Sequence, residues 1–158
     1  MPDQDHVTSL ASARKRCGLH VFLQRHAART QVSALSGARL PECFARVRAA
    51  DLQVAQRQSA KLRAEAGDEA CTVFVDVEVL VDTDVRAAMH AAEQLGAGTE
   101  TLRYVGTPRG LAGFIADLHT LGIADGVTLL PLRAADNVDR LISEVLPMLG
   151  LDPERLAA

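Results

Sequence analysis

The stretch CTVFVDVEVLV, residues 71–81, restricts the fold of this 158-residue chain more than any other feature of its sequence. Valine occupies every second position from residue 73 to residue 81, and such alternation is typical of a β-strand with one buried face. The opposite face carries Asp76 and Glu78, so it must meet solvent, a barrel lumen or a cleft. We expect a solvated edge face, and the alternative is a pair of carboxylates that performs acid–base chemistry or binds a cation.

A second ordered stretch, GTPRGLAGFIADLHTLGIADGVTLLP, covers residues 106–131. Thr107 is a good helix N-cap, and Pro108 suits the first helical turn because its missing N–H would have no partner there. A helix ending at Gly122 should follow, and then a short buried strand. The apolar residues that predict one core-facing stripe on this helix are Leu111, Phe114, Ile115 and Leu118.

The segment before the valine strand has a weaker pattern. From Pro41 and Glu42 we expect one long helix that ends at Gly67, with a short strand at Asp51 to Ala55 as the alternative. Residues 1–43 show no clean period beyond a short apolar run at their centre, so we expect a poorly defined N-terminal segment there.

Further helices should flank the later strands. Asp82 or Asp84 should cap one helix, and Asp136 or Asn137 should cap the last one, which Pro147 shortens or kinks. The apolar stripe expected on the first of these helices is Val85, Ala88, Met89, Ala92 and Leu95. Strands that alternate with helices predict an α/β fold with parallel strands.

Charge is divided unevenly along the chain. Residues 1–63 hold eleven Lys and Arg against four acids, a net +7, and the remainder holds six against sixteen, a net −10. A basic half can indicate nucleic-acid binding, but only two aromatic residues accompany these arginines and no DNA- or RNA-binding motif is present. We therefore expect no nucleic-acid partner, and we expect the two halves to attract each other or partner chains.

The spacing of the cysteines and the length of the apolar runs indicate the cellular compartment. Cys17, Cys43 and Cys71 are widely spaced and lack a CxxC motif, which argues against a disulfide framework or a zinc site. Each is expected to be a small buried residue, reduced in a cytoplasm. No apolar run reaches about 18 residues, so we expect no membrane span and a cytoplasmic protein.

Taken as an ordered set, three segments resemble the C-terminal part of the luciferase-like monooxygenases: VFVDVEVLVDTD, YVGTPRGLAGFIADLHTLGIADGVTLLP and DNVDRLISEVLPMLGL. The resemblance covers residues 44–151 and leaves 152–158 as a tail. It implies a partial (β/α)8 TIM-barrel-like fold made of C-terminal βα units. It also implies a flavin-dependent oxidoreductase that uses FMN or a 5-deazaflavin.

Two features set the chain apart from that family. A complete barrel takes about 250 residues, so we expect a truncated or diverged member. Arg109 stands where the family usually places an acid that complements the helix dipole, and Gly110 weakens the first turn. The alternative is a non-catalytic barrel fragment that acts as an oligomerising or interaction module, and a homo-oligomer or a partner subunit is expected.

The resemblance also implies where a cofactor would bind. Barrel enzymes build their sites after the carboxyl ends of strands, and a flavin phosphate would seek a helix N-terminus and a cation. The cofactor-binding candidates are Thr107 with Arg103 or Arg109, and Arg133; for Thr107 a plain helix cap is the alternative. The chain has no GxGxxG, P-loop, GxSxG or HExxH motif, so neither a catalytic residue nor a metal site is predicted.

Overall fold

The computed structural model describes residues 18–24, 32–34, 41, 43–67, 69–96, 98, 100–133 and 135–151, with only the backbone described for 32–34 and 135–137. In chain order the elements are β1 (His20–Gln24), β2 (Val32–Ala34), β3 (Phe44–Val47), α1 (Leu52–Ala66), β4 (Thr72–Val81), α2 (Val85–Leu95), β5 (Leu102–Gly106), α3 (Pro108–Thr120), β6 (Gly126–Pro131) and α4 (Ala135–Arg140). The helix α4 continues through a π-helical turn, Leu141–Val145, into α5 (Leu146–Met148).

The strands form one sheet centred on β4. Its order is β2-β1-β6-β4, and β3 and β5 follow one another along the other side of β4. Phe44 of β3 lies opposite Thr72, and Leu102 of β5 lies opposite Val77. Every pairing is parallel except that of β1 with β2. The prediction of an α/β fold with parallel strands and alternating helices is confirmed.

The helices cover both faces of the sheet. The chain leaves β4 through α2 to reach β5 and returns through α3 to β6 on the other side of β4. Right-handed crossovers in opposite directions place their helices on opposite faces. Accordingly, α3 packs on the valine face of β4, whereas α2 packs against Leu80 on the other face.

The larger hydrophobic core lies on the valine face. The five alternating valines of β4 are all buried, as the sequence predicts. They share one cluster with Leu111, Ile115 and Leu118 of α3, against which Phe114 packs while partly exposed. The predicted stripe of α3 is thus confirmed, and burial of this interface supplies the main driving force for folding.

Side-chain caps fix the starts of three helices. Asp51 accepts from the Val54 N–H at 2.8 Å, and Asp84, the second of the two predicted alternatives, accepts from the Arg86 N–H at 2.8 Å. Thr107 accepts from the Gly110 N–H at 3.2 Å, which confirms it as the cap of α3.

The predicted helix from Pro41 to Gly67 is wrong in its first third. Phe44–Val47 is a strand, β3, and the helix begins only after the Asp51 cap. The alternative of a strand at residues 51–55 is also wrong, since these residues are the cap and first turn of α1. The reason is tertiary: β3 gains a ladder of hydrogen bonds from β4, and this pairing outweighs a weak local preference for helix.

The stripe predicted for α2 is confirmed in part, since Ala88 and Ala92 pack against the sheet at Leu80 whereas its larger residues do not. Val85, Met89 and Leu95 are exposed, whereas Ala88 and Ala91 are buried against Leu80. The helix approaches the sheet through its alanines, whose small side chains allow close packing. Hydrophobic spacing alone therefore identifies two of the alanines that pack, but it also includes large residues that stay exposed.

The end of the chain departs from a regular helix. Asp136 and Asn137 lie within α4, so the prediction that one of them caps the last helix is wrong. The predicted irregularity near Pro147 is confirmed: the Leu146 N–H donates to the Leu141 carbonyl, five residues back, directly before the proline. Proline lacks an N–H, so it interrupts the regular pattern here.

The N-terminal part of the chain contributes to the same sheet. Val21, Phe22 and Leu23 of β1 are fully buried, and β1 pairs with β6, so the sheet extends across the predicted segment boundary at residue 43. The expected attraction between the basic and acidic halves is confirmed by ion pairs such as Arg63 with Asp125, at 3.2 Å. None of the helices in the described ranges is long and apolar enough to cross a membrane.

Candidate functional site

A cluster of charged side chains lies on the face of β4 opposite the valines. It consists of Gln24, Arg46, Arg48 and Asp76, and we call it the charged cluster. Gln24 is the last residue of β1, and Arg46 and Arg48 are at the end of β3 and just after it. Asp76 is at the centre of β4. The cluster therefore lies near the carboxyl ends of β1 and β3, where open α/β sheets bind ligands.

Arg46 holds this cluster together. Its Nε donates to Asp76 Oδ1 at 3.0 Å, and its Nη2 donates to Asp76 Oδ2 at 3.0 Å and to Gln24 Oε1 at 2.8 Å. Arg48 Nη2 is 3.7 Å from Asp76 Oδ2. A planar guanidinium that meets both carboxylate oxygens is the strongest ion-pair geometry available to these side chains.

Burial and charge differ sharply between the members of the charged cluster. The Asp76 side chain is 4 % exposed, that of Arg46 is 29 % exposed and that of Arg48 is 61 % exposed. Two guanidinium groups share one carboxylate, so the cluster carries a net positive charge. The more exposed guanidinium, that of Arg48, makes only the longer contact with Asp76 and presents its remaining donors to solvent.

A second ion pair lies beside the charged cluster on the same face. Arg103 Nε of β5 donates to Glu78 Oε2 at 2.9 Å, and Nη2 lies 2.9 Å from the same oxygen in an ion pair. Nη1 donates to the Gly96 carbonyl at 3.1 Å. The expectation of a solvated edge face for Asp76 and Glu78 is therefore wrong. Because β4 is paired on both sides, each carboxylate meets an arginine from a neighbouring strand. Carboxylates engaged in this way are poorly placed to act as free general bases.

Aromatic side chains adjoin the charged cluster toward the amino ends of the strands. Phe74 of β4 meets Phe22 with ring centroids 4.8 Å apart, and His20 and Phe44 at 5.8 and 5.7 Å. Burial is the main factor that lowers the pKa of His20. Gly126 is required between these rings, since a Cβ there would lie 2.4 Å from the His20 carbonyl oxygen and 2.8 Å from the Phe74 ring. The charged cluster is thus bordered by a group of aromatic rings, of which Phe22 and Phe74 are fully buried.

The predicted cofactor-binding residues do not converge. Arg103 is paired with Glu78 on the charged face, whereas Thr107 caps α3 on the valine face. Arg133 follows β6, is exposed, and makes no hydrogen bond or ion pair within the part of the chain that the structure describes. Of the three, Arg133 alone keeps its guanidinium donors available.

The start of α3 is occupied by its own side chains. The Thr107 hydroxyl bonds the Gly110 N–H, and the Tyr104 hydroxyl donates to the Thr107 carbonyl at 3.3 Å. A Cβ on Gly110 would lie 2.0 Å from the Tyr104 oxygen, which explains a glycine in a first helical turn. In that turn Pro108 has no N–H and the Gly110 N–H is already bonded to Thr107. The Arg109 N–H is therefore the one that is left to bind an anion. This arrangement fits a plain cap better than a phosphate site.

The sequence reading did not identify Gln24, Arg46 or Arg48. The available signal is the alternation of arginines at residues 46 and 48, which would place both on one face of a strand, but the sequence pattern predicts a helix there. The described residues contain no group of three or more His, Cys, Asp or Glu side chains that could hold a metal ion.

Comparison with known proteins supports the fold. No family model matches the chain, and no curated protein matches it. Among solved structures it is similar to the EDTA monooxygenase EmoA from Chelativorans sp. BNC1, with 12 % identity, 72 % of this chain and 44 % of that chain covered, and a TM-score of 0.57. It is also similar to the long-chain alkane monooxygenase LadA, with 16 % identity, 72 % and 40 % coverage, and a TM-score of 0.54.

Both of these structures are luciferase-like monooxygenases with a TIM-barrel fold. The resemblance read from the sequence, and the partial-barrel fold class that it implied, are therefore confirmed at the level of the fold. The chain spans less than half of the length of each of these proteins.

Proposed function

We propose that this chain is a flavin-dependent oxidoreductase of the luciferase-like monooxygenase class, in a diverged or shortened form. The observation that carries the proposal is the fold that it shares with two monooxygenases at TM-scores of 0.57 and 0.54. The cofactor would be FMN or a 5-deazaflavin, which supplies the redox chemistry. The residues of the chain would bind and orient it.

Two exposed cationic side chains, each just after the carboxyl end of its own strand, fit the phosphate of such a cofactor. Arg48 follows β3 and is mostly exposed, and Arg133 follows β6 and keeps its donors available. Guanidinium groups bind phosphate through charge-assisted hydrogen bonds. The Glu78 partner of Arg103 and the cap made by Thr107 favour structural roles for these two residues, so we assign the phosphate contact to Arg48 and Arg133.

Titration with FMN and with riboflavin, which lacks the phosphate, tests this proposal. Isothermal titration calorimetry should detect FMN binding, and Arg48→Ala or Arg133→Ala should weaken it about tenfold, the loss expected for one hydrogen bond between charged groups. Riboflavin should bind more weakly and should not respond to these changes. Arg57→Ala, at an exposed position of α1, is the matched control. If neither FMN nor a 5-deazaflavin binds up to millimolar concentration, the proposal is wrong.

A second function is favoured by the outer face of α2. Val85 and Met89, one helical turn apart, are exposed large apolar residues on the same side of this helix, and such groups commonly mark a protein–protein contact. The chain would then be a non-catalytic module that associates through α2 with a second copy of itself. Sedimentation velocity at micromolar concentration should show a dimer that Met89→Lys dissociates. A monomer in the unaltered protein excludes this function.

A further inference from the structure

Cys43 and Cys71 are neighbours across two strands, although they are far apart in the sequence. Each immediately precedes a strand, β3 or β4, and the first pair in the register of these strands is Phe44 opposite Thr72. The Thr72 N–H donates to the Cys43 carbonyl at 3.2 Å, which extends the ladder to the cysteines. Adjacent strands lie about 4.8 Å apart, within the Cα separation of about 4.4–6.8 Å that a disulfide requires.

The two thiols differ in their access to solvent. Cys43 is exposed and Cys71 is half-buried, so the expectation that both are small buried residues is wrong. Burial raises the pKa of the Cys71 thiol, and its hydrogen bond with the Cys43 side chain raises it further. Cys43 is thus the thiol that a reagent in solution reaches first, and Cys71 is in contact with it.

We propose that Cys43 and Cys71 form a redox-active dithiol that reacts with low-molecular-weight disulfides and closes to an intrachain disulfide. The Cys43 thiolate attacks one sulfur of the reagent, whose S–S bond breaks and releases one thiolate, which takes up a proton. Cys71 then loses its proton to solvent and attacks the Cys43 sulfur, which releases the second reagent thiol. Two protein thiols are oxidised, and one reagent disulfide is reduced to two thiols.

The new bond would join β3 to β4 at their amino ends. It would close a loop that contains the whole of α1, and a cross-link of this kind restricts the unfolded chain. Since β3 carries Arg46, oxidation would also secure the strand that supplies the charged cluster. The expected result is a protein that melts at a higher temperature when oxidised.

Oxidised glutathione is the probe, and the Cys17→Ser chain removes the third thiol of the sequence. Intact-mass spectrometry of the folded protein should show a loss of about two mass units, and peptide mapping should find Cys43 joined to Cys71. In the Cys17→Ser background, Cys71→Ser should accumulate a mixed disulfide on Cys43, and Cys43→Ser should react more slowly. The melting temperature should rise by about 5–10 °C and return on reduction with dithiothreitol.

The proposal is overturned if the folded Cys17→Ser chain gives only mixed disulfides, or does not react, or closes its disulfide only in urea. Peptide mapping of the unaltered chain is a second test that does not depend on whether the variant folds. The proposal requires a Cys43–Cys71 bond in that chain as well. If Cys17 is instead bonded to Cys43 or Cys71, the strand register does not determine which thiols pair, and the proposal is wrong.

Discussion

Replacement of Arg46 by methionine should destabilise the protein more than replacement of Asp76 by asparagine. Arg46→Met keeps an apolar stem but leaves a carboxylate that is 4 % exposed and that has, among the described residues, one remaining ionic partner, Arg48 at 3.7 Å. Asp76→Asn keeps the volume and one acceptor oxygen, and it leaves Arg46, whose side chain is 29 % exposed and can be hydrated. The uncompensated buried charge therefore arises in the first variant.

The magnitude follows from the burial of the pair. Loss of one partner from a fully buried ion pair costs about 3–5 kcal/mol. Arg46 is partly exposed, so water can enter the space that it leaves, and we expect a decrease of about 2–3 kcal/mol in the free energy of unfolding. For Asp76→Asn we expect about 1–2 kcal/mol, the cost of a weakened charge-assisted hydrogen bond.

Urea denaturation measured by far-UV circular dichroism gives these free energies, and it suits a chain without tryptophan. The control is Arg57→Met, at an exposed position of α1, which should change stability by less than about 0.5 kcal/mol. The double variant of Arg46 and Asp76 should be less destabilised than the sum of the single changes, because the two residues interact directly. The reasoning is refuted if Arg46→Met matches the control, or if Asp76→Asn costs more than Arg46→Met.

Three further predictions test the packing of the fold. In α3, Gly110→Ala should lower the melting temperature because its Cβ would meet the Tyr104 hydroxyl, whereas Gly113→Ala, which has open space, should gain up to about 1 kcal/mol; similar effects from both would contradict the contact. Burial lowers the pKa of His20 in the folded state, so below pH 6.5 the unfolded chain binds a proton more readily than the folded one. The free energy of unfolding should therefore be highest above pH 6.5 and should decrease as the pH falls from 6.5 toward the folded pKa. In urea titrations between pH 7.5 and 5.5, this decrease should be smaller in His20→Gln. A decrease of the same size in the variant would show that His20 is not its cause. Leu111→Ala, at a fully buried position, should cost about 2–5 kcal/mol in the same denaturation assay, and a change below 1 kcal/mol would mean that α3 is not packed as described.

The parts of the fold that follow from local rules were predictable. The alternating valines identify β4, because a two-residue repeat places them all on one face of a strand. Thr107 and Pro108 identify the start of α3, because the cap bond spans only three residues. The same segments resemble the luciferase-like monooxygenases, and two solved structures with a similar fold are such monooxygenases.

Partners far apart in the sequence were not predictable in this way. Residues 44–47 are compatible with a helix, and they become β3 because β4 offers them a ladder of hydrogen bonds. The stripe predicted for α2 includes two of the alanines that meet the sheet, but helical spacing places Val85 and Met89 with them, and only the packing shows that these two stay exposed. The charged cluster joins residues from β1, the β3 region and β4, so its existence depends on the order of the strands.

The sequence by itself therefore determined the central strand, the capped helix that precedes the last strand, and the α/β class with parallel strands. Those features rest on hydrogen bonds and side-chain repeats within a few residues, which are written directly in the chain. Only the tertiary structure decided that Asp76 meets Arg46, that Cys43 meets Cys71, and that Arg103 is bound to Glu78. Each of these contacts requires two strands to lie side by side in one register, and that arrangement is set by packing of the whole sheet.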